Sequence, residues 1–115
     1  MVSAKNRLLT LVVVTLASTL AFSQAQAGTP EFRIIIKDHV FVPAEVTVPA
    51  NTKVKLIIDN QDPTPEEFES HEMHREKIIA GNKTATILIG PLKPGKYPFF
   101  GEFNEDTAKG VVIAQ

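Results

Sequence analysis

From Phe32 onward the hydrophobic pattern has period two. Phe32-Arg33-Ile34-Ile35-Ile36-Lys37 alternates apart from Ile35, Asp38-His39 turns the chain into Val40-Phe41-Val42, and Pro43-Ala44 breaks it before Glu45-Val46-Thr47-Val48. Alternation rich in β-branched residues and punctuated by Pro, Gly, Asn and Asp is the mark of short strands. Pro49-Ala50-Asn51 is a turn signal, and 53–59 is the best strand: Val54, Leu56 and Ile58 face one way, Lys53, Lys55 and Asp59 the other, with Ile57 on the wetter side. Beyond the loop Asn60-Gln61-Asp62-Pro63, the stretch Thr64-Pro65-Glu66-Glu67 predicts a helix of one or two turns, with Thr64 as N-cap, Pro65 as first helical residue and Glu67 closing a capping box. Strand character returns at 75–80, 84–89 and 96–100, and the chain closes on 110–114. Pro98 lies in the third of these runs and brings no N–H to a ladder.

Seven or eight short strands at roughly ten-residue spacing predict an all-β fold, a Greek-key β-sandwich with one short helix in a loop. The first 27 residues read differently. Lys5 and Arg7 precede an apolar run from Leu8 to Phe22, and Ala25-Gln26-Ala27 follows, which gives a charged n-region, an apolar h-region and a small-residue cleavage site. We expect a cleavable signal peptide over 1–27, a single domain over 28–115 exported to the periplasm, and no membrane insertion after cleavage. The apolar run is short of the roughly 20 residues of a membrane span and is interrupted by Thr15, Ser18 and Thr19.

Composition narrows the chemistry. Loss of Lys5 and Arg7 moves the formal charge from -1 to -3, and a mildly acidic domain lacks the basic patch that nucleic-acid binding needs. A domain of 88 residues excludes a two-domain enzyme with an interdomain cleft. The chain has no Cys, which excludes disulfides, thiolate zinc sites, iron–sulfur clusters, a Cys nucleophile and thiolate-bound blue copper. Any metal must be held by His, carboxylate, Met, amide or backbone oxygen. Eight of the thirteen carboxylates fall in two short stretches, Glu66, Glu67, Glu69, Glu72 and Glu76 in one, Glu102, Glu105 and Asp106 in the other.

Phe41-Val42-Pro43-Ala44-Glu45-Val46-Thr47-Val48-Pro49-Ala50, the strand ending in Asp59-Asn60-Gln61-Asp62, and the closing run from Pro91 to Phe103 together resemble a cupredoxin-like domain, over about 32–114. More narrowly, Pro65-Glu66-Glu67-Phe68-Glu69-Ser70-His71-Glu72 followed by Arg75-Glu76-Lys77 is similar to small periplasmic cupredoxin-like proteins of bacterial ferrous-iron uptake systems, related to the cupredoxin domain of EfeO-type proteins. In copper-carrying cupredoxins the resemblance implies one His after the strand ending near Asp59, and a Cys, a His and often a Met in the last loop. This chain has no His around Glu66 and Glu67, Gly101 where the Cys would stand, Asn104 near the second His, and no Met after it. An electron-transfer copper site of that kind is therefore not expected.

The resemblance also brings the two acidic stretches together at one end of the sandwich, as loops around a carboxylate-rich mouth. The expected ligands of a copper or iron ion are Glu67, Glu69, His71, Met73 and His74 from the first stretch and Glu102 and Asp106 from the second, with Glu66, Glu72, Asn104 and Glu105 beside them. Carboxylate and imidazole together suit iron, copper(II), zinc or manganese, whereas Met73 would tilt the site toward copper. His71 and His74 share a face if the segment is helical. Plainer readings stand beside these: Glu66 and Glu67 as solvated acids at a helix start, His71 as an ion-pair partner of its flanking acids, Met73 as packing, His39 as a strand end.

The function expected on these grounds is a periplasmic cupredoxin-like metal-binding protein in iron uptake, working with a membrane iron permease and other uptake components. The resemblance implies ferroxidase-like iron or copper handling, but the domain supplies no electron acceptor of its own, so turnover is left open. Two alternatives remain, a copper chaperone or buffer using His71, Met73 and His74, and a metal-free interaction module with an acidic docking end.

Overall fold

A computed structural model describes residues 28–115; the expected signal peptide lies outside the described residues. Nine strands form: β1 (Glu31–Lys37), β2 (Val40–Val42), β3 (Glu45–Val48), β4 (Val54–Asn60), β5 (Glu66–Ser70), β6 (Arg75–Ile79), β7 (Thr84–Ile89), β8 (Gly95–Gly101) and β9 (Lys109–Ala114). Among the described residues a single 3-10 turn, η1 (Glu102–Asn104), follows β8. One sheet has the order β2-β1-β4-β7 and the other β3-β9-β8-β5-β6. Both are mixed, because β1 runs parallel to β4 and β3 parallel to β9. The all-β sandwich is as expected, with nine strands rather than seven or eight.

The alternation read along the chain decides which face is buried. Ile34 and Ile36 of β1, Val54, Leu56 and Ile58 of β4, and Ile87 and Ile89 of β7 line the inner face of the first sheet. Val46 and Val48 of β3, Phe68 of β5, Ile79 of β6, Phe99 of β8 and Val112 and Ala114 of β9 line the second. Three aromatics join the sheets: Phe41 from β2 meets Phe99 edge-on at 5.0 Å, and Phe99 stacks on Phe68 at 4.9 Å. Aromatic pairs in these geometries add roughly 0.5–1.5 kcal/mol beyond the area they bury.

The helix predicted at 64–67 is absent, and the competing interactions explain why. Glu66–Ser70 pairs with β6 on one side and β8 on the other, with Glu66 opposite Ile79 and Phe68 opposite Gly101. Glu66, Phe68 and Ser70 thereby point inward, so the period-two reading of Glu-Glu-Phe-Glu-Ser prevails over the capping box. The loop before it is held from outside. Asn60, fully buried, donates from Nδ2 to the carbonyls of Thr64 (2.9 Å) and Ile79 (3.1 Å), and the Thr64 hydroxyl faces His39 Nε2 at 3.5 Å. The N–H of Glu67, which a capping box would have bonded to Thr64, donates instead to Glu66 Oε1 at 2.9 Å.

Asp62 performs a similar task one turn away. Its two oxygens accept the N–H groups of Asp38 (2.8 Å) and His39 (2.9 Å), fixing the β1–β2 turn, where both residues have left-handed φ of 52° and 59°. Burial opposes ionisation of Asp62, but these two N–H bonds, together with the nearby charges of His39 and Lys37, outweigh it and hold its carboxyl below the usual range.

Candidate metal centre

Antiparallel registry builds the site. Glu67 and Glu69 alternate with the core-facing residues of β5 and emerge on the outer face of the second sheet. Glu69 stands directly opposite Glu76 on β6 and Phe100 on β8. Glu67 has Glu76 as its diagonal neighbour across β6, and Glu102, just past the end of β8, on its other flank. One carboxylate oxygen from each of Glu67, Glu76 and Glu102 lies within 4.8 Å of the others. Like charges this close on one sheet face are destabilising unless something neutralises them.

Glu67 is the focus of the cluster. It is only 7% exposed. Among the described residues no hydrogen-bond donor or cationic side chain reaches its carboxylate, the ion pairs there being Arg33–Asp59, Lys55–Glu31 and His71–Glu69. Sharing of a proton with the Glu76 carboxyl, then burial, then the charge of Glu102 push the Glu67 pKa up to about 7. Glu102, together with burial, likewise raises Glu69, against the pull of His71. Near neutral pH such a group is completed either by a proton or by a cation. Three carboxylate oxygens at this spacing form a hard, oxygen-only donor set.

The other expected ligands are arranged differently. His71, at the end of β5, lies with its Nδ1 3.7 Å from Glu69 Oε1 and its ring 5.5 Å from that of Phe100. His74 sits in the β5–β6 turn with a φ of 53°, so the two imidazoles are not on a helix face; both line an open cleft of about 390 Å³ with Glu69 and Glu76. Asp106 lines a separate cleft of about 470 Å³ with His39 and Glu102, and is not one of the three converging carboxylates. Met73 is a core residue, 6% exposed within the hydrophobic cluster, so the soft ligand expected beside the histidines packs inside instead. Nor is the site a mouth between two loops: the first acidic stretch is strand, and the cluster lies on its outer face. Glu76 was not among the expected ligands. Only the pairing of β5 with β6 brings it to Glu67, and a sequence reading that treats 64–67 as helix loses that registry.

The interior position can be tested for blue copper directly. Gly101 stands where the resemblance puts the thiolate, and a Cβ there would fall 2.6 Å from Glu66 Cδ and 2.7 Å from the Ala108 Cβ. No side chain fits, and no Cys exists to place there. The residues present do not suit that group.

Comparison with known proteins agrees with this architecture. A family model described as "Cupredoxin-like domain" matches residues 8–114. An uncharacterized protein of Rickettsia prowazekii (strain Madrid E) is 57% identical over 83 residues, which cover 72% of this chain and 66% of that protein, just under two thirds of its length. Auracyanin A, a blue copper protein of Chloroflexus aurantiacus, superposes with a TM-score of 0.69 at 14% identity, over 76% of this chain and all of its own. The metal-binding domain of the Cu(I)-exporting ATPase CopA of Streptococcus pneumoniae D39 gives 0.66 at 16% identity, over 74% of this chain and 84% of its own. At such identities the structures testify to fold alone. With an all-β sandwich of two mixed sheets and a family match across nearly the whole sequence, the chain belongs to the cupredoxin-like domain family.

Proposed function

We propose that this protein binds iron as cargo on Glu67, Glu76 and Glu102 and acts in iron uptake at the cell envelope, delivering the ion to a membrane permease. One observation carries the reading: the carboxylate of Glu67, a residue only 7% exposed, has no protein donor and converges with two other carboxylates on the outer face of the sheet. Oxygen-only donors suit Fe(III) and other hard cations and disfavour Cu(I). The resemblance of the run from Pro65 to Lys77 to ferrous-iron uptake proteins supports iron as that cation and the periplasm as the place. Oxidation of the iron is assigned to a partner able to accept the electron, because the domain offers no acceptor.

A second reading has its own observation. His71 and His74 line one cleft with Glu69 and Glu76, a donor set suited to Cu(II), and structural relatives include a Cu(I) exporter's metal-binding domain and a blue copper protein. Anaerobic calorimetric titration of the purified protein with Fe(II), Cu(II), Cu(I) and Zn(II) separates the two. The iron reading expects Fe(II) binding that Glu67→Gln weakens at least tenfold. Tighter binding of Cu(II) that depends on His71 and ignores Glu67 would establish the copper reading instead, and no binding tighter than about millimolar by any ion would sink both.

A further inference from the structure

We propose that Glu66 is a positioning residue for the cation site, its buried carboxylate tying η1 to β5 and so holding Glu102 against Glu67; the role rests on reading Glu67, Glu76 and Glu102 as that site. Glu66 is 1% exposed. Its Oε1 accepts the N–H of Glu67 at 2.9 Å and the N–H of Phe103 at 2.9 Å, and its Oε2 accepts Asn104 Nδ2 at 2.7 Å. One carboxylate therefore grips the backbone of one ligand, Glu67, and the two residues that follow another, Glu102.

Apart from Glu66, η1 is tied by the Asn104 carbonyl, which accepts the N–H groups of Thr107 (3.2 Å) and Ala108 (2.8 Å). It has no side-chain cap of its own, its N-cap position being Gly101. Early N–H groups of a helical turn lack partners within it and must find them elsewhere. Glu66 supplies an acceptor for one of them from a different strand, and charge-assisted bonds of this type are roughly twice as strong as neutral ones. The carboxylate in turn has three donors, so it needs no ion of its own. Room for it depends on Gly101, since a Cβ there would fall 2.8 Å from Glu66 Oε2. Neighbouring acids on β5 thus divide the work by facing: Glu66 inward to fix the frame, Glu67 outward to the cation.

Outer contacts that orient metal ligands typically change affinity about 10- to 100-fold when removed. The test pairs Tb(III) luminescence titration, Tb(III) serving as a hard-cation probe, with amide hydrogen exchange on the metal-free protein. Glu66→Ala should weaken Tb(III) binding at least tenfold and speed exchange of the Phe103 amide at least tenfold. Glu66→Gln and Asn104→Ala, milder changes that keep the fold, should move both in the same direction by less. Thr52→Ala, which removes the Thr52 hydroxyl's bond to the Ala50 carbonyl (3.0 Å) in the β3–β4 turn, should leave Tb(III) affinity and the Phe103 amide unchanged. Unaltered affinity and unaltered Phe103 exchange in folded Glu66 variants overturn the positioning role alone. Failure of the unmodified protein to bind Tb(III) or Fe(II) overturns the cation reading itself, and the role with it.

Discussion

At the scale of single residues, Gly101 and Glu66 form one unit. Replacing Gly101 with Ala sets a methyl group against a carboxylate and the Ala108 side chain at distances real Cβ atoms do not tolerate. Overpacking of this kind costs about 1–3 kcal/mol, and displacement of Glu66 would strip acceptors from Phe103 and Asn104. We therefore expect Gly101→Ala to lower the unfolding free energy by at least that amount in urea titrations, and to weaken cation binding as Glu66→Ala does. Asp62 yields a pH-dependent prediction. Its folded pKa lies below the ordinary carboxylate value, so its contribution is complete at neutral pH and is lost as pH falls through the folded value. Asp62→Asn should cost about 1–3 kcal/mol at pH 7, and the gap from the unmodified protein should close below about pH 4. A gap that stays constant as the pH falls would mean that Asp62 acts through packing rather than charge.

At the scale of elements, β5 decides how much could be read in advance. Strands β1, β4, β7 and β9 were legible because each carries an alternating apolar face that must be buried. In β5 the inward positions hold Glu66 and Ser70, polar residues that look like surface until Phe103, Asn104 and Pro98 are seen to partner them. Local capping signals then suggested a helix that pairing with β6 and β8 overrides. The same misreading hid Glu76, whose nearness to Glu67 is a matter of registry, and made Met73 look available because the turn around it is otherwise polar. Glu67, Glu69 and Glu102 were visible as candidates from charge density together with the resemblance that brings the two acidic stretches to one end of the sandwich. The outer face of β5 also predicts a pH response. Glu67 keeps its proton to about pH 7 when folded, against about 4.5 ordinarily, so the folded state binds more protons between those values and stability falls as pH rises through them. Thermal unfolding of the metal-free protein should show a lower melting temperature at pH 7.5 than at pH 5, and Glu67→Gln should flatten that slope. Added Fe(II) or Tb(III) should raise the melting temperature most at the higher pH, because carboxylates must be deprotonated to bind. A melting temperature that rises steadily from pH 5 to 7.5 without metal would contradict the cluster.

At the scale of the whole molecule, a cupredoxin-like sandwich without cysteine has a polar carboxylate clasp in its interior and an acidic face outside. The fold itself was legible, since nine short strands in under ninety residues leave few ways to bury alternating faces. The choice of metal was not, because it depends on which side chains the two sheets bring together across β5, β6 and η1. Fe K-edge anomalous diffraction from crystals loaded anaerobically with Fe(II) tests the central claim most directly. The account predicts a single strong peak bound by carboxylate oxygens of Glu67, Glu76 and Glu102 on the outer face of β5. A peak at His71 and His74, or inside the sandwich beside Gly101, or no ordered iron at all, would contradict it.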